Sequence, residues 1–166
     1  MNYFFLDASA LGKRYVIEVG TPLVNHLFNT VPKARMIVLI LTLGEIVSIL
    51  VRRKNAGQIS KAAYQQAMVE FRAEIAESTD LSLQVVSSDL VRTSLPLIEQ
   101  YALNATDALI LRCALQVAEA LRPTGHDLVL VTSDTRLAAA APATGLLVWN
   151  PEKDSQAALD ALITVV

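Results

Sequence analysis

At 166 residues the chain has the size of one domain and is long enough to bury a sizeable core. Hydrophobic residues form 53% of it and aromatics 5%, which excludes a disordered chain and predicts an aliphatic interior. The net charge of −2 excludes a coat protein that holds nucleic acid through many lysine–phosphate contacts.

The opening Tyr3 to Leu6 is a short apolar run suited to a buried strand, with Asp7 closing it. It has neither the basic segment nor the long apolar core of a signal peptide. Ala8 to Val16 reads as helix, and Thr21-Pro22 opens a second, with Thr21 as N-cap and proline in the first turn. Met36 to Leu41 is β-branched enough for a second strand. Thr42 then caps a helix that runs to about Lys54 and stops at Asn55-Ala56-Gly57. The apolar stretch from Met36 to Val51 is too short for a membrane span and is interrupted by Gly44 and Glu45. A cytoplasmic, reducing location is therefore expected.

Ser60 caps the next helix, where Tyr64, Met68, Phe71 and Ile75 recur at the spacing of one buried face. Leu81 to Val86 predicts a third strand, and Ser88 starts a helix that Pro96 should bend or divide. Thr106 or Asp107 opens a helix to about Leu121. Asp127 to Thr132 forms a strand, Thr135 to Ala141 a short helix, Leu146 to Trp149 a last strand, and a helix from about Asp154 finishes the chain. Strands separated by helical crossovers predict one α/β domain, its mainly parallel central sheet flanked by helices.

Open parallel sheets bind ligands beyond the carboxyl ends of their strands, and four acids map to that edge. Asp7 ends the first strand and Asp134 follows the strand through Thr132; Glu45 and Asp107 fall in the first turns of two helices. Gathered together, carboxylates repel unless they lose charge or share a cation. A hard ion such as Mg²⁺ or Mn²⁺ prefers oxygen ligands, and the chemistry it suits is hydrolysis of a phosphodiester by an activated water. Cys113 is the only cysteine, and His26 and His126 have no partner at ligand spacing, so neither a cysteine zinc site nor a histidine base competes. Each acid also has a local reading. Asp107 and Asp134 suit helix N-caps, and Thr42-Leu43-Gly44-Glu45 is a capping-box pattern. Asp7 is harder to dismiss, since a charge closing a short buried strand is rarely retained without a partner.

Phe5-Leu6-Asp7-Ala8-Ser9-Ala10-Leu11, with Lys13-Arg14-Tyr15-Val16 and Glu18, resembles the opening of PIN-domain proteins, particularly VapC-like toxins of type II toxin–antitoxin modules. Thr42 to Glu45 with Arg52-Arg53, Leu103 through Asp107 to Ile110, and Val131 to Asp134 with Asn150-Pro151 resemble that family's later motifs, in its order. The resemblance implies a PIN-like single domain over residues 1–166 and a Mg²⁺- or Mn²⁺-dependent endoribonuclease. Asp7 and Asp107 would be its principal metal ligands, Glu45 and Asp134 would complete the acidic pocket directly or through waters, and Ser9, Thr132 and Ser133 would be supporting hydroxyls. It also implies an RNA substrate, a cognate antitoxin and a homodimer. Two positions depart from the family pattern: Gly12 replaces a larger apolar residue, and Arg112 stands in a helix otherwise lined there by small residues.

Lys13 and Arg14, soon after Asp7, and Arg52, seven positions beyond Glu45, are candidates to guide RNA phosphates toward the acids. Arg52, Arg53 and Lys54 equally complement a helix C-terminus. Apolar residues between Val16 and Val31 offer either a partner surface or core. Two other functions compete: a non-catalytic PIN-like module that binds RNA or protein, and a phosphatase using Asp7 as nucleophile. Ser9, where such phosphatases carry a second aspartate, weighs against the latter.

Overall fold

A computed structural model describes residues 1–164 of the chain. Five strands form one sheet: β1 (Asn2–Leu6), β2 (Met36–Leu39), β3 (Ser82–Gln84), β4 (Asp127–Val131) and β5 (Leu147–Trp149). Their order is β3-β2-β1-β4-β5, and every pairing is parallel. The described helices are α1 (Ala8–Leu11), α2 (Thr21–Thr30), α3 (Ile40–Asn55), α4 (Lys61–Phe71), α5 (Ser88–Tyr101), α6 (Ala105–Leu121), α7 (Thr135–Ala143) and α8 (Gln156–Thr164). The last two residues of the expected C-terminal helix lie outside the described residues.

Alternation along the central strands decides which side chains meet which helices. Phe4, Leu6, Met36, Val38, Val129 and Val131 face one way, into a core closed by α1 to α4 and α8. Phe5, Ile37, Leu39, Leu128 and Leu130 face the other way, toward α5, α6 and α7. Being covered on both faces explains why these strands read as unbroken apolar runs. Phe71 and Ile75 are buried as the helical spacing predicted, with Tyr64 and Met68 packed beside them. Among the described residues no helix is long and apolar enough to cross a membrane.

Several local expectations need correction. β2 ends at Leu39 rather than Leu41, and α3 begins at Ile40 with Leu39 at its cap position. Thr42 therefore lies inside the helix, its hydroxyl buried without a partner, and caps nothing. Thr21 is the first residue of α2; Gly20 is the N-cap, at φ +89, while the Thr21 hydroxyl accepts the Glu18 N–H at 3.0 Å. Asn104, not Thr106 or Asp107, caps α6. Pro96 does not divide α5, which runs continuously from Ser88 to Tyr101. Between Val16 and Val31 most of the apolar side chains are core, as Val16, Val24, Leu27 and Val31 show. Ile17 and Val19 are the exceptions, at 94% and 70% exposed.

The sheet order puts β1 at its centre. From there the chain steps outward to β2 and β3, then returns to β4 and β5 on the far side. The carboxyl ends of β1 and β4 thus flank the point where the winding direction switches, which is where open α/β sheets leave a crevice. Asp7 and Asp134 follow those two strands.

Candidate active site

The β1 and β4 ends are stitched together by hydroxyls. The Asp7 N–H donates to the Val131 carbonyl at 3.0 Å, extending the ladder one residue past the strand. The Asp7 Oδ2 then accepts from Ser9 Oγ at 2.5 Å, Thr132 Oγ1 at 2.8 Å and the Ser9 N–H at 3.3 Å. Ser9 Oγ in turn accepts the Ser133 N–H at 2.8 Å and the Asp134 N–H at 3.2 Å. One serine thereby orients the first carboxylate and the backbone that carries the last one. The Ser133 hydroxyl does not join the network; it is buried and has no hydrogen-bond partner among the described residues.

Asp107 sits in the first turn of α6 and is anchored by the cap residue. Its N–H donates to Asn104 Oδ1 at 2.8 Å, and Asn104 Nδ2 donates to Asp107 Oδ2 at 2.7 Å. Asp134 is the N-cap of α7, where its Oδ1 accepts the N–H groups of Arg136 and Leu137, each at 2.9 Å. Glu45 differs. With α3 starting at Ile40 it stands beyond the first turn, and it makes no bond back to Thr42. Its Oε2 is buried and has no hydrogen-bond partner among the described residues.

These four acids, from four separate stretches of chain, line one cavity of about 290 Å³ together with Ser9, Ser48, Ile49 and Arg52. Their proximity is visible in their acidities. Burial, then the charges of Asp7 and Asp107, push Glu45 up to about 7, against the pull of Arg52. Burial, then Asp134 and Asp7, push Asp107 up to about 6, with Arg136 opposing. Asp7 is raised too, because burial outweighs the hydroxyl and N–H donors that favour its charged form. At neutral pH the cavity thus concentrates negative charge that its own cations do not cancel.

The donor set is all oxygen, the kind preferred by hard divalent ions. Asp7, Asp107 and Asp134 each spend one oxygen on local hydrogen bonds. The other oxygen of each has no protein partner among the described residues, and Glu45 Oε2 is a buried carboxylate oxygen wanting one. Among the described residues no group of three or more His, Cys, Asp or Glu side chains is gathered closely enough to hold an ion alone.

The basic residues divide. Arg52 is exposed, lines the cavity and takes part in none of the ion pairs found among the described residues. Lys13 and Arg14 do not reach the acids. The Lys13 side chain is 2% exposed, with its Nζ bound to Glu18 at 2.9 Å and Glu152 at 2.5 Å. Arg14 grips both oxygens of Glu74, at 2.9 and 3.1 Å, and lies over the Phe28 ring. Both are committed within the protein, so neither is positioned to guide RNA phosphates. Two residues were missed. Asn104 anchors Asp107, and the Asn-x-x-Asp spacing before an apolar helix was its signal. Arg136 is an exposed cation in the first turn after Asp134, close enough for its charge to act on Asp107.

A family model described as "PIN domain" matches residues 23–152, a span that begins after Asp7 and takes in the other three acids. No curated protein matches the sequence significantly. Among solved structures the chain is similar to VapC20 of Mycobacterium tuberculosis, described as a sarcin–ricin-loop-cleaving toxin. The TM-score is 0.59 at 19% identity, over 82% of this chain and 94% of that one. It is similar also to FitAcB from Neisseria gonorrhoeae, with TM-score 0.61 at 16% identity over 91% and 99%. A toxin–antitoxin complex from Klebsiella pneumoniae gives 0.53 at 22% identity over 89% and 96%. At such identities these likenesses concern the fold.

Proposed function

The chain belongs to the PIN-domain family, and from that premise we propose that it is a divalent-metal-dependent endoribonuclease, the toxin of a toxin–antitoxin pair acting in the cytoplasm. The observation that carries the reading is the single cavity lined by Asp7, Glu45, Asp107 and Asp134, with carboxylate oxygens left unpartnered in it. When bound, a Mg²⁺ or Mn²⁺ ion held by Asp7 and Asp107, with Glu45 and Asp134 reached directly or through water, supplies positive charge against the phosphate and acidifies a water.

The protein's own groups prepare that site. Ser9 and Thr132 hold Asp7 by its Oδ2, and Asn104 holds Asp107 by its Oδ2. Asp134 is fixed by the two N–H groups it caps. Such preorganisation spares the site reorganisation at the moment of reaction. Arg52 at the wall and Arg136 beside the α7 cap offer the phosphate contacts that Lys13 and Arg14 do not.

The kinship in fold with a structure described as a toxin and with a toxin–antitoxin complex supports a cognate partner protein as part of the same proposal; a homodimer is proposed with it, on the family resemblance alone. The test is cleavage of a panel of transfer and ribosomal RNAs by the purified chain with Mg²⁺ or Mn²⁺, stopped by EDTA. Asp7→Asn and Asp107→Asn should each abolish cutting while the circular dichroism spectrum is retained. Full activity in both variants would refute the site. RNA binding without cleavage by the wild type, under either metal, would make the chain a non-catalytic binding module.

A further inference from the structure

Helices α1 to α8 treat their hydroxyls alike, with one exception. Beyond the first turn, Thr30, Thr93, Ser94 and Thr164 each donate the hydroxyl to a carbonyl of the preceding turn, at 2.8 to 2.9 Å. That back bond is an ordinary way for serine and threonine to be satisfied inside a helix. Ser48 does not make it. Its hydroxyl has no hydrogen-bond partner among the described residues, and the residue is exposed and lines the acidic cavity. The only other hydroxyl lining that cavity, Ser9, is engaged with Asp7 and with the Ser133 N–H. Ser48 therefore offers the cavity a free donor and free acceptor sites.

Its place on α3 decides what it can meet. Glu45, Ser48 and Arg52 all line this cavity. They lie within about 60° of one another around the helix, with Ser48 about 4.5 Å and Arg52 about 10.5 Å along the axis from Glu45. One helix face thus carries, in order, a member of the acidic group, a free hydroxyl, and an exposed cation that joins no ion pair found among the described residues. Under the nuclease reading the scissile phosphate lies at the acids and Arg52 meets another phosphate of the strand. Successive phosphates are separated by a ribose, so the order of groups along α3 repeats the order phosphate, ribose, phosphate.

Resting on that reading, we infer that Ser48 is a specificity-determining residue: its hydroxyl bonds the ribose 2′-hydroxyl between the phosphate at the acids and the phosphate at Arg52, and so selects RNA over DNA. The 2′-hydroxyl is both donor and acceptor and is the group by which a protein tells the two nucleic acids apart at a given position. A serine hydroxyl is likewise donor and acceptor, so the bond can form in either sense. Attack by an activated water makes no use of the 2′-hydroxyl. A preference for RNA therefore has to come from a contact, and Ser48 is the uncommitted hydroxyl on the cavity wall.

The experiment uses a short RNA with a mapped cleavage site, and two chimeras in which the nucleotide on one or the other side of the scissile phosphate is 2′-deoxy. One chimera should be cut with kcat/KM lowered by about fivefold, the worth of one hydrogen bond. Ser48→Ala should lower cleavage of the intact RNA by that factor and cut the chimera as wild type does, which is the signature of a direct pair. Binding gives a readout without metal or turnover: in an Asp7→Asn background, Kd by fluorescence anisotropy should separate RNA from the same chimera, and adding Ser48→Ala should erase the difference. Alanine is the better helix former, so the variant should melt no lower than wild type. If neither chimera differs from the intact RNA, or if the difference persists after Ser48→Ala, the role of Ser48 is wrong and the nuclease reading stands. If wild type cuts no RNA, both fall.

Discussion

Removing the divalent ion should make the protein less stable as pH rises, and the acidic cavity sets the size of the effect. Glu45 has an ordinary value of 4.5 and is pushed up to about 7 in the fold; Asp107 goes from 3.8 to about 6. Between those values the folded chain holds protons that the unfolded chain has released, so stability falls with rising pH through that window. The contribution is fully present below about pH 4 and lost above about pH 7. Each pH unit of such a difference is worth about 1.4 kcal/mol per group. Two fully sealed groups would lose roughly 6 kcal/mol, but the cavity is open to solvent and screening discounts this to about 2–3 kcal/mol. For a chain of this size that is a fall in Tm of about 5–10 °C. The assay is thermal unfolding in EDTA from pH 4.5 to 8, comparing wild type with the isosteric Glu45→Gln/Asp107→Asn double variant, which cancels the titration of all other groups. The wild type should lose ground to the variant as pH rises, and added Mg²⁺ or Mn²⁺ at pH 8 should restore it by mass action. Parallel curves for the two proteins would refute the account of repelling acids.

Three further outcomes follow from individual contacts. Asp134→Ser keeps an N-cap oxygen for α7 and should hold Tm near wild type while lowering RNA cleavage, whereas Asp134→Ala should also lose about 1 kcal/mol in a denaturant melt; equal activity of the serine variant would reduce Asp134 to a cap. Ser9→Ala strips the Ser133 N–H of its side-chain acceptor and Asp7 of a donor, while the Asp134 N–H keeps Thr132 Oγ1 at 3.1 Å, so unfolding free energy should fall by about 1–3 kcal/mol. Lys13→Ala removes the buried cation from Glu152 and one of the two cations from Glu18, and should cost about 1–3 kcal/mol by urea unfolding. The salt dependence of RNA binding should not change in that variant; a lowered slope would restore Lys13 as a phosphate contact.

The fold was legible because its signals are local and repeated. Apolar runs such as Leu128 to Val131 announce strands buried on both faces, and the spacing of Tyr64, Met68, Phe71 and Ile75 announces a helix with one inward side. Boundaries were less so. Met36 to Leu41 is one β-branched stretch in sequence, yet Ile40 and Leu41 already belong to α3, since tertiary context and not residue preference ends the strand. The early start of α3, with its cap at Leu39 and not Thr42, puts Thr42 in the helix interior and frees Glu45 from the capping box that its spacing suggested.

The surroundings of the basic residues are illegible in the sequence for a different reason. Lys13 and Arg14 lie near Asp7 in sequence, but beside the local Glu18 their partners are Glu152 and Glu74, 139 and 60 positions away. Nothing local in the sequence announces the two long-range pairs. For the acids, by contrast, the choice between helix cap and metal ligand was itself the wrong question. A carboxylate has two oxygens, and Asp134 caps α7 with Oδ1 while Asp107 engages Asn104 with Oδ2. Such local bonds hold the side chain still, and a side chain held by one oxygen presents the other in a defined place. The cap is therefore part of how a charged ligand is kept ready, and its presence at a strand-to-helix turn facing three other acids strengthens the functional reading of the cavity.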